Sequence, residues 1–165
     1  MVMNAVSDLS VTFEQPCDTT DDIKALRSIP RAPISIDETL VSVNDMATIA
    51  REGIAEVANI KINRVGGLTK ARRIRDVAIA HGIQIYVMAT GGSAMADAEA
   101  AALAQSTPEE FRLGCWACQD MLTVDIAPGR GPRSENGDLF VPDQPGLGFT
   151  PDESLLGDSV AVFGE

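Results

Sequence analysis

Histidine and cysteine are rare in this chain, with one and three copies in 165 residues. Three thiols cannot build a disulfide framework. No apolar run approaches the length of a membrane span, so no membrane partner is expected. The first ten residues, MVMNAVSDLS, carry no Lys or Arg, so no secretory signal is apparent. A cytoplasmic location is the default expectation. Basic residues are also short, 13 against 24 acidic, for a formal net charge of -11. That excludes nucleic acid as the main partner, because phosphate binding needs a basic face. The acidity reads as a solvated surface.

What is present is a soluble globular composition, 45% hydrophobic and 22% charged, long enough for one ordinary domain with its own core. Within it, short apolar strands alternate with amphipathic helices. Val11 to Glu14 is a β-prone run. A helix start follows at Thr19 or Thr20, with Asp21 and Asp22 suited to its dipole. Ile23, Ala25, Leu26 and Ile29 give its apolar side, and Pro30 and Pro33 stop it. Ile34 to Asp37 is a second strand, followed by a helix from Val43 to Glu52 that ends at Gly53. Ala58 to Ile62 is a third strand. A helix from Leu68 to His81 follows Gly66-Gly67. Its expected buried stripe is Leu68, Ala71, Ile74, Val77 and Ala78, with Lys70, Arg72, Arg73 and Arg75 facing water. Ile83 to Met88 is a fourth strand, and an alanine-rich helix runs from Ala94 to Gln105. Phe111 to Cys118 holds a weaker last strand. From Ala127 on, Gly and Pro dominate, which predicts an extended, turn-rich tail with little helix.

Strands alternating with helices at this period predict an α/β fold with a parallel sheet and right-handed crossovers. A doubly wound open sheet and a closed eight-stranded barrel both fit the pattern. Glu14, Asp37 and Lys61 fall at successive strand ends, 23 and 24 residues apart. In a barrel those ends converge on the face where active sites are built. Charges at the ends of buried strands cost free energy unless paired or metal-bound. Two carboxylates on adjacent strands suit Mg²⁺, a hard cation with oxygen ligands. A lysine on the next strand is then placed to act as an acid or base. The rival reading is a structural salt bridge from Lys61 to Asp37 or Glu14.

Cys115-Trp-Ala-Cys118 matches C-x-x-C, but structural zinc needs four ligands. Cys17 and His81 would complete the set only if the fold brought them there. Packed, inert thiols are the favoured reading. A metal or redox module on Cys115 and Cys118 is the alternative.

Three segments together resemble consecutive strand motifs of the enolase superfamily, in its mandelate racemase/muconate lactonizing group. They are Phe13-Glu14-Gln15-Pro16, Ile36-Asp37-Glu38 and Ile60-Lys61-Ile62-Asn63-Arg64-Val65-Gly66-Gly67-Leu68. Pro142 to Gly148 resembles that family's closing segment. The resemblance implies a partial (β/α)8 barrel, strands four to eight, over residues 1–126. An extended tail over 127–165 would pack on the barrel or on a capping region. It implies Glu14 and Asp37 as Mg²⁺ ligands and Lys61 as the acid/base lysine, with Glu38 adjacent to the site. Met88 and Thr90 fall in a stretch that often binds substrate through an acid, and no acid is present there.

The implied reaction is removal of the proton α to a carboxylate. It would be run as an epimerase or racemase, or as a dehydratase, on an amino-acid-type substrate such as a hydroxyproline derivative. A full barrel needs about 250 residues. By the resemblance, one metal ligand and one base lie on earlier strands. The expectation is therefore a chain inactive alone that needs an N-terminal half or a homo-oligomer. A non-catalytic remnant is the competing expectation.

Overall fold

A computed structural model describes residues 2–6, 8–27 and 32–163. Its elements in chain order are α1 (Val2–Ala5), β1 (Phe13–Glu14), α2 (Thr20–Leu26), β2 (Ile34–Ile36), α3 (Val43–Glu52) and β3 (Val57–Lys61). Then come α4 (Ile62–Val65), α5 (Leu68–Ala80), β4 (Gln84–Met88), α6 (Ala94–Gln105), β5 (Arg112–Trp116), β6 (Arg133–Glu135) and β7 (Asp138–Phe140). Short 3₁₀ turns lie at Glu109–Phe111, Gln119–Met121 and Glu153–Leu155.

The first five strands form one parallel sheet in the order β1-β2-β3-β4-β5. The order never reverses. A doubly wound sheet needs a reversal, so this is an arc of a β/α barrel. Among the described residues it does not close on itself.

Helix ends are set by local chemistry. Ser42 Oγ accepts from the Asp45 N–H at 3.2 Å and donates to the Asp45 carboxylate at 2.7 Å, a reciprocal cap that starts α3. Gly53 ends that helix at φ 61°, a left-handed conformation cheap only for glycine. Thr19 and Ser93 cap α2 and α6 by side-chain acceptance in the same way.

Strand side chains alternate between two faces. Ile34, Ile36, Ala58, Ile60, Ile85 and Val87 point toward the helices and are fully buried there, with Met46, Ile49, Ala71, Ile74 and Ala78 in the same core. Burying a large aliphatic side chain stabilises by about 1.5–3 kcal/mol, so this face carries the fold. No helix among the described residues is long and apolar enough to cross a membrane.

Several expectations change in detail. Ile62 leaves the strand and opens the short helix α4. Leu68 is exposed and Val77 only half-buried, so the buried stripe of α5 narrows to Ala71, Ile74 and Ala78. The Arg75 side chain is only 11% exposed and donates to the Ser106 carbonyl at 3.0 Å, so it is not a water-facing charge. Ile29 and Pro30 lie outside the described residues. The tail contains a hairpin, β6 antiparallel to β7, around Asn136 and Gly137. Phe149 packs against the small cluster of Ala94, Ile126 and Ala127.

Candidate active site

Asp37 sits one residue past β2 and is 2% exposed. Lys61 ends β3, the neighbouring strand. Its Nζ donates to Asp37 Oδ2 at 2.6 Å. Arg64, on α4, donates to the other carboxylate oxygen. Each oxygen of this buried acid therefore faces its own cation. Burial alone would raise the Asp37 pKa. The hydrogen bonds from Lys61 and Arg64, with their charges, outweigh it and hold the carboxyl below the usual carboxylate range.

Glu14 ends β1, but its register partner is Ser35, two residues short of Asp37. Its side chain is exposed and makes no hydrogen bond or ion pair among the described residues. The expected meeting of three side chains is thus two-thirds formed: Asp37 and Lys61 join, and Glu14 stands on the neighbouring strand end without touching them. Gln15 links the two strand ends instead. Its side-chain oxygen accepts from the Asp37 N–H at 2.8 Å, while its amide donates to the Cys17 carbonyl at 2.8 Å. Gln15 holds φ at 39°, a costly conformation for a residue with a Cβ, and such strain concentrates where backbone placement matters.

The sheet face away from the helices is an open cleft lined by Glu14, Ser35, Asn59, Tyr86, Met88 and Trp116. Asn59 is 3% exposed, and its side-chain oxygen has no hydrogen-bond partner among the described residues. Burial pushes the Tyr86 hydroxyl pKa up, with Cys115 and Glu14 adding to it. Gly114 is required opposite this ring: a Cβ there would come within 2.8 Å of Tyr86. A second cleft places Lys61 beside Met88, Ala89, Thr90, Trp116 and Leu122. Both expected substrate residues, Met88 and Thr90, line it. Thr90 also accepts a hydrogen bond from the Asn63 amide. Glu38 is 62% exposed, 4.0 Å from Arg64, and shares a third cleft with Glu14, Gln15 and Asp18.

No group of three or more His, Cys, Asp or Glu side chains gathers to hold a metal among the described residues. The Cys115–Cys118 alternative weakens for that reason and for a second. Burial, with Asp97 adding, pushes the Cys115 thiol up to about 11. Burial and a hydrogen bond to Asp97 raise Cys118 as well. Protonated thiols are poor ligands and poor nucleophiles.

Sequence reasoning missed Arg64 as a partner of Asp37. It also missed Asp97, whose burial depends on how α6 meets the turn after β5. The local signal for Arg64 was its place one turn after Lys61. For Asp97 there was none beyond an acid in the first turn of a helix.

Known proteins share this arrangement of strands and helices. A curated cis-3-hydroxy-L-proline dehydratase from Roseibium aggregatum is 41% identical over 98% of this chain. A solved structure from Silicibacter pomeroyi, named for the mandelate racemase/muconate lactonizing enzymes, superposes at TM-score 0.94 with 59% identity over 99% of the chain. An enolase-superfamily member from Roseovarius nubinhibens ISM, solved with magnesium, gives TM-score 0.93 and 41% identity over 99% of the chain. The chain spans 44%, 45% and 44% of those three proteins respectively. The family model described as enolase C-terminal domain-like matches residues 1–155, and the chain belongs to that family.

Proposed function

We propose that this chain supplies the Lys61 side of a Mg²⁺-dependent site that removes the proton α to a substrate carboxylate. The observation that carries the reading is the buried Asp37–Lys61 pair at adjacent parallel strand ends, 2.6 Å apart and open to a cleft. A salt bridge needed only for stability would be weakly motivated there. Burying both charges costs about as much as their attraction returns.

Glu14 and Asp37 fit Mg²⁺ by donor type, since both offer hard carboxylate oxygens. They do not make a complete shell. The remaining ligands would come from water, from substrate and from groups outside the described residues. When bound, Mg²⁺ would supply the concentrated positive charge that a substrate carboxylate needs as its α-carbon loses a proton. Each Asp37 oxygen accepts from one cation and keeps a second lone pair, so Asp37 could serve as a ligand while still held by Lys61 or Arg64. As an ammonium paired with Asp37, Lys61 Nζ has no lone pair and can only donate. To serve as the base it would leave Asp37 and give one proton to water; it would then take the substrate's α-proton and become an ammonium again, the base half of an acid/base cycle. Arg64 would keep Asp37 oriented while Lys61 moves. Met88, Thr90 and Trp116 would bound the space in which the substrate turns toward Nζ.

The substrate class is an amino-acid-type carboxylate, such as a hydroxyproline derivative, handled by epimerisation or by dehydration. The 41% identity to a hydroxyproline dehydratase over nearly the whole chain supports that choice. The complementary groups would come from an N-terminal barrel half or from a second copy, and the chain alone would turn over little. A cytoplasmic setting belongs to the same proposal. The test is a chimera in which residues 1–165 replace the matching part of the Roseibium dehydratase. With Mg²⁺ and cis-3-hydroxy-L-proline in D₂O, NMR should show loss of the α-proton signal in the chimera. The 165-residue chain should show little. A folded chimera with no α-exchange would count against the reading, and brisk exchange by the chain alone would remove the need for a complementary half.

A further inference from the structure

The cleft beside Lys61 has two walls, each anchored in the core by one residue, Ala89 and Cys118. One runs Met88 to Gly91 after β4. The other is Trp116 with the turn 117–122 after β5. Apolar side chains on the second wall face outward: Trp116 is 37% exposed and Met121 72%. The walls are joined at their base by the pairing of Met88 with Trp116 and by the Ala89 N–H on the Trp116 carbonyl at 3.0 Å, and a second tie lies behind them. Asp97, in the first turn of α6, is 0% exposed. Its Oδ1 accepts from the Cys118 N–H at 3.1 Å and lies 3.4 Å from Cys118 Sγ, which donates to it. α6 begins at Ala94, three residues after Gly91 ends the first wall. Oδ2 has no partner among the described residues.

A buried carboxylate is a costly way to hold one N–H, and a serine or asparagine would do that alone. A half-satisfied buried acid needs an explanation beyond packing. Here it joins α6, which continues from the first wall, to Cys118 on the second. We propose that Asp97 and Cys118 form a positioning lock that sets the spacing of the two walls, and so the shape of the space presented to Lys61. The lock's role in specificity rests on the reading of Lys61 as the proton-transfer residue. Its existence does not.

Trp116 is the sole tryptophan, so its fluorescence reports this wall alone. In the 165-residue chain, Asp97→Ala, which removes the acceptor, should keep the helical circular dichroism yet raise acrylamide quenching of Trp116 about twofold, as expected when a local segment opens without global unfolding. Cys118→Ala should do the same. Cys118→Ser retains a donor for Asp97 and should quench as wild type does. If Asp97→Ala does not fold, the Ala/Ser contrast at position 118 carries the test. Wild-type quenching in both Asp97→Ala and Cys118→Ala would overturn the lock. So would equal effects of Ser and Ala. Lys61→Ala should leave Trp116 quenching unchanged. Absent α-exchange in the chimera with an intact Trp116 response would sink the functional reading alone.

Discussion

The two faces of the five-stranded sheet obey different rules. On the helix side, Ile34, Ile36, Ala58, Ile60, Ile85 and Val87 are buried and apolar. On the cleft side, the same strands present Ser35, Asp37, Asn59, Lys61 and Tyr86. The helix face finds all its partners within the chain. Among the described residues, the cleft face holds an unpartnered Asn59 oxygen, a Glu14 without hydrogen bond or ion pair and an acid shared between two cations. Stability and chemistry are therefore separable by strand parity: neighbouring residues on one strand belong to different problems.

The largest effect should come from the helix face. Ile60→Ala, at a fully buried position, should lower unfolding free energy by about 2–5 kcal/mol in urea titration, the usual range for such truncations. A loss below about 1 kcal/mol would mean that the core is not where stability resides.

Next is Asp37, a buried cleft-side acid with two cationic partners. Asp37→Asn leaves Lys61 and Arg64 without their carboxylate and should cost about 1–3 kcal/mol, the range for groups left unsatisfied by loss of a partner. The sign of its pH dependence follows from the lowered pKa. A carboxylate with a depressed folded-state pKa stabilises above its unfolded value and loses that contribution as pH falls through the lower folded value. Wild type should therefore exceed Asp37→Asn at neutral pH, and the two curves should converge in acid, below the ordinary carboxylate range. Divergence on acidification would contradict the pairing.

Smaller still is Glu14→Gln, expected to stay within about 0.5 kcal/mol of wild type because the side chain is exposed and unpaired. If it cost as much as Ile60→Ala, the two faces would not be separable. The mildest probe is thiol labelling. With its pKa near 11, Cys115 has roughly one part in a thousand thiolate at pH 8, so alkylation of the native chain should be slow there and accelerate toward pH 11.

The sequence made the helix side legible because its signals are local. Ser42 with Asp45 and then Gly53 bracket α3, and Ala94 to Gln105 coincides with α6. Strand parity was legible wherever apolar and polar residues alternate, as in β3. The hairpin in the tail was missed although Asn136-Gly137 is a strong two-residue turn signal. The surrounding Gly and Pro content obscured the two short strands beside it. In the site, Asp37 and Lys61 were legible from their spacing at strand ends. Their distance from Glu14 was not, because it depends on β1 ending in register with Ser35. Asp97 was illegible for a similar reason: a first-turn acid is ordinarily solvated, and only the approach of the β5 turn makes it a buried acceptor.

The central claim is that Lys61 moves the α-proton. Its most direct measurement compares the chimera carrying Lys61 with its Lys61→Ala variant, both folded, in D₂O with Mg²⁺. Removing the acid/base group should reduce the α-deuterium exchange rate by about 10²-fold or more. Exchange that continues within about twofold of the parent would show that another group carries the proton, and the reading built on Lys61 would fail.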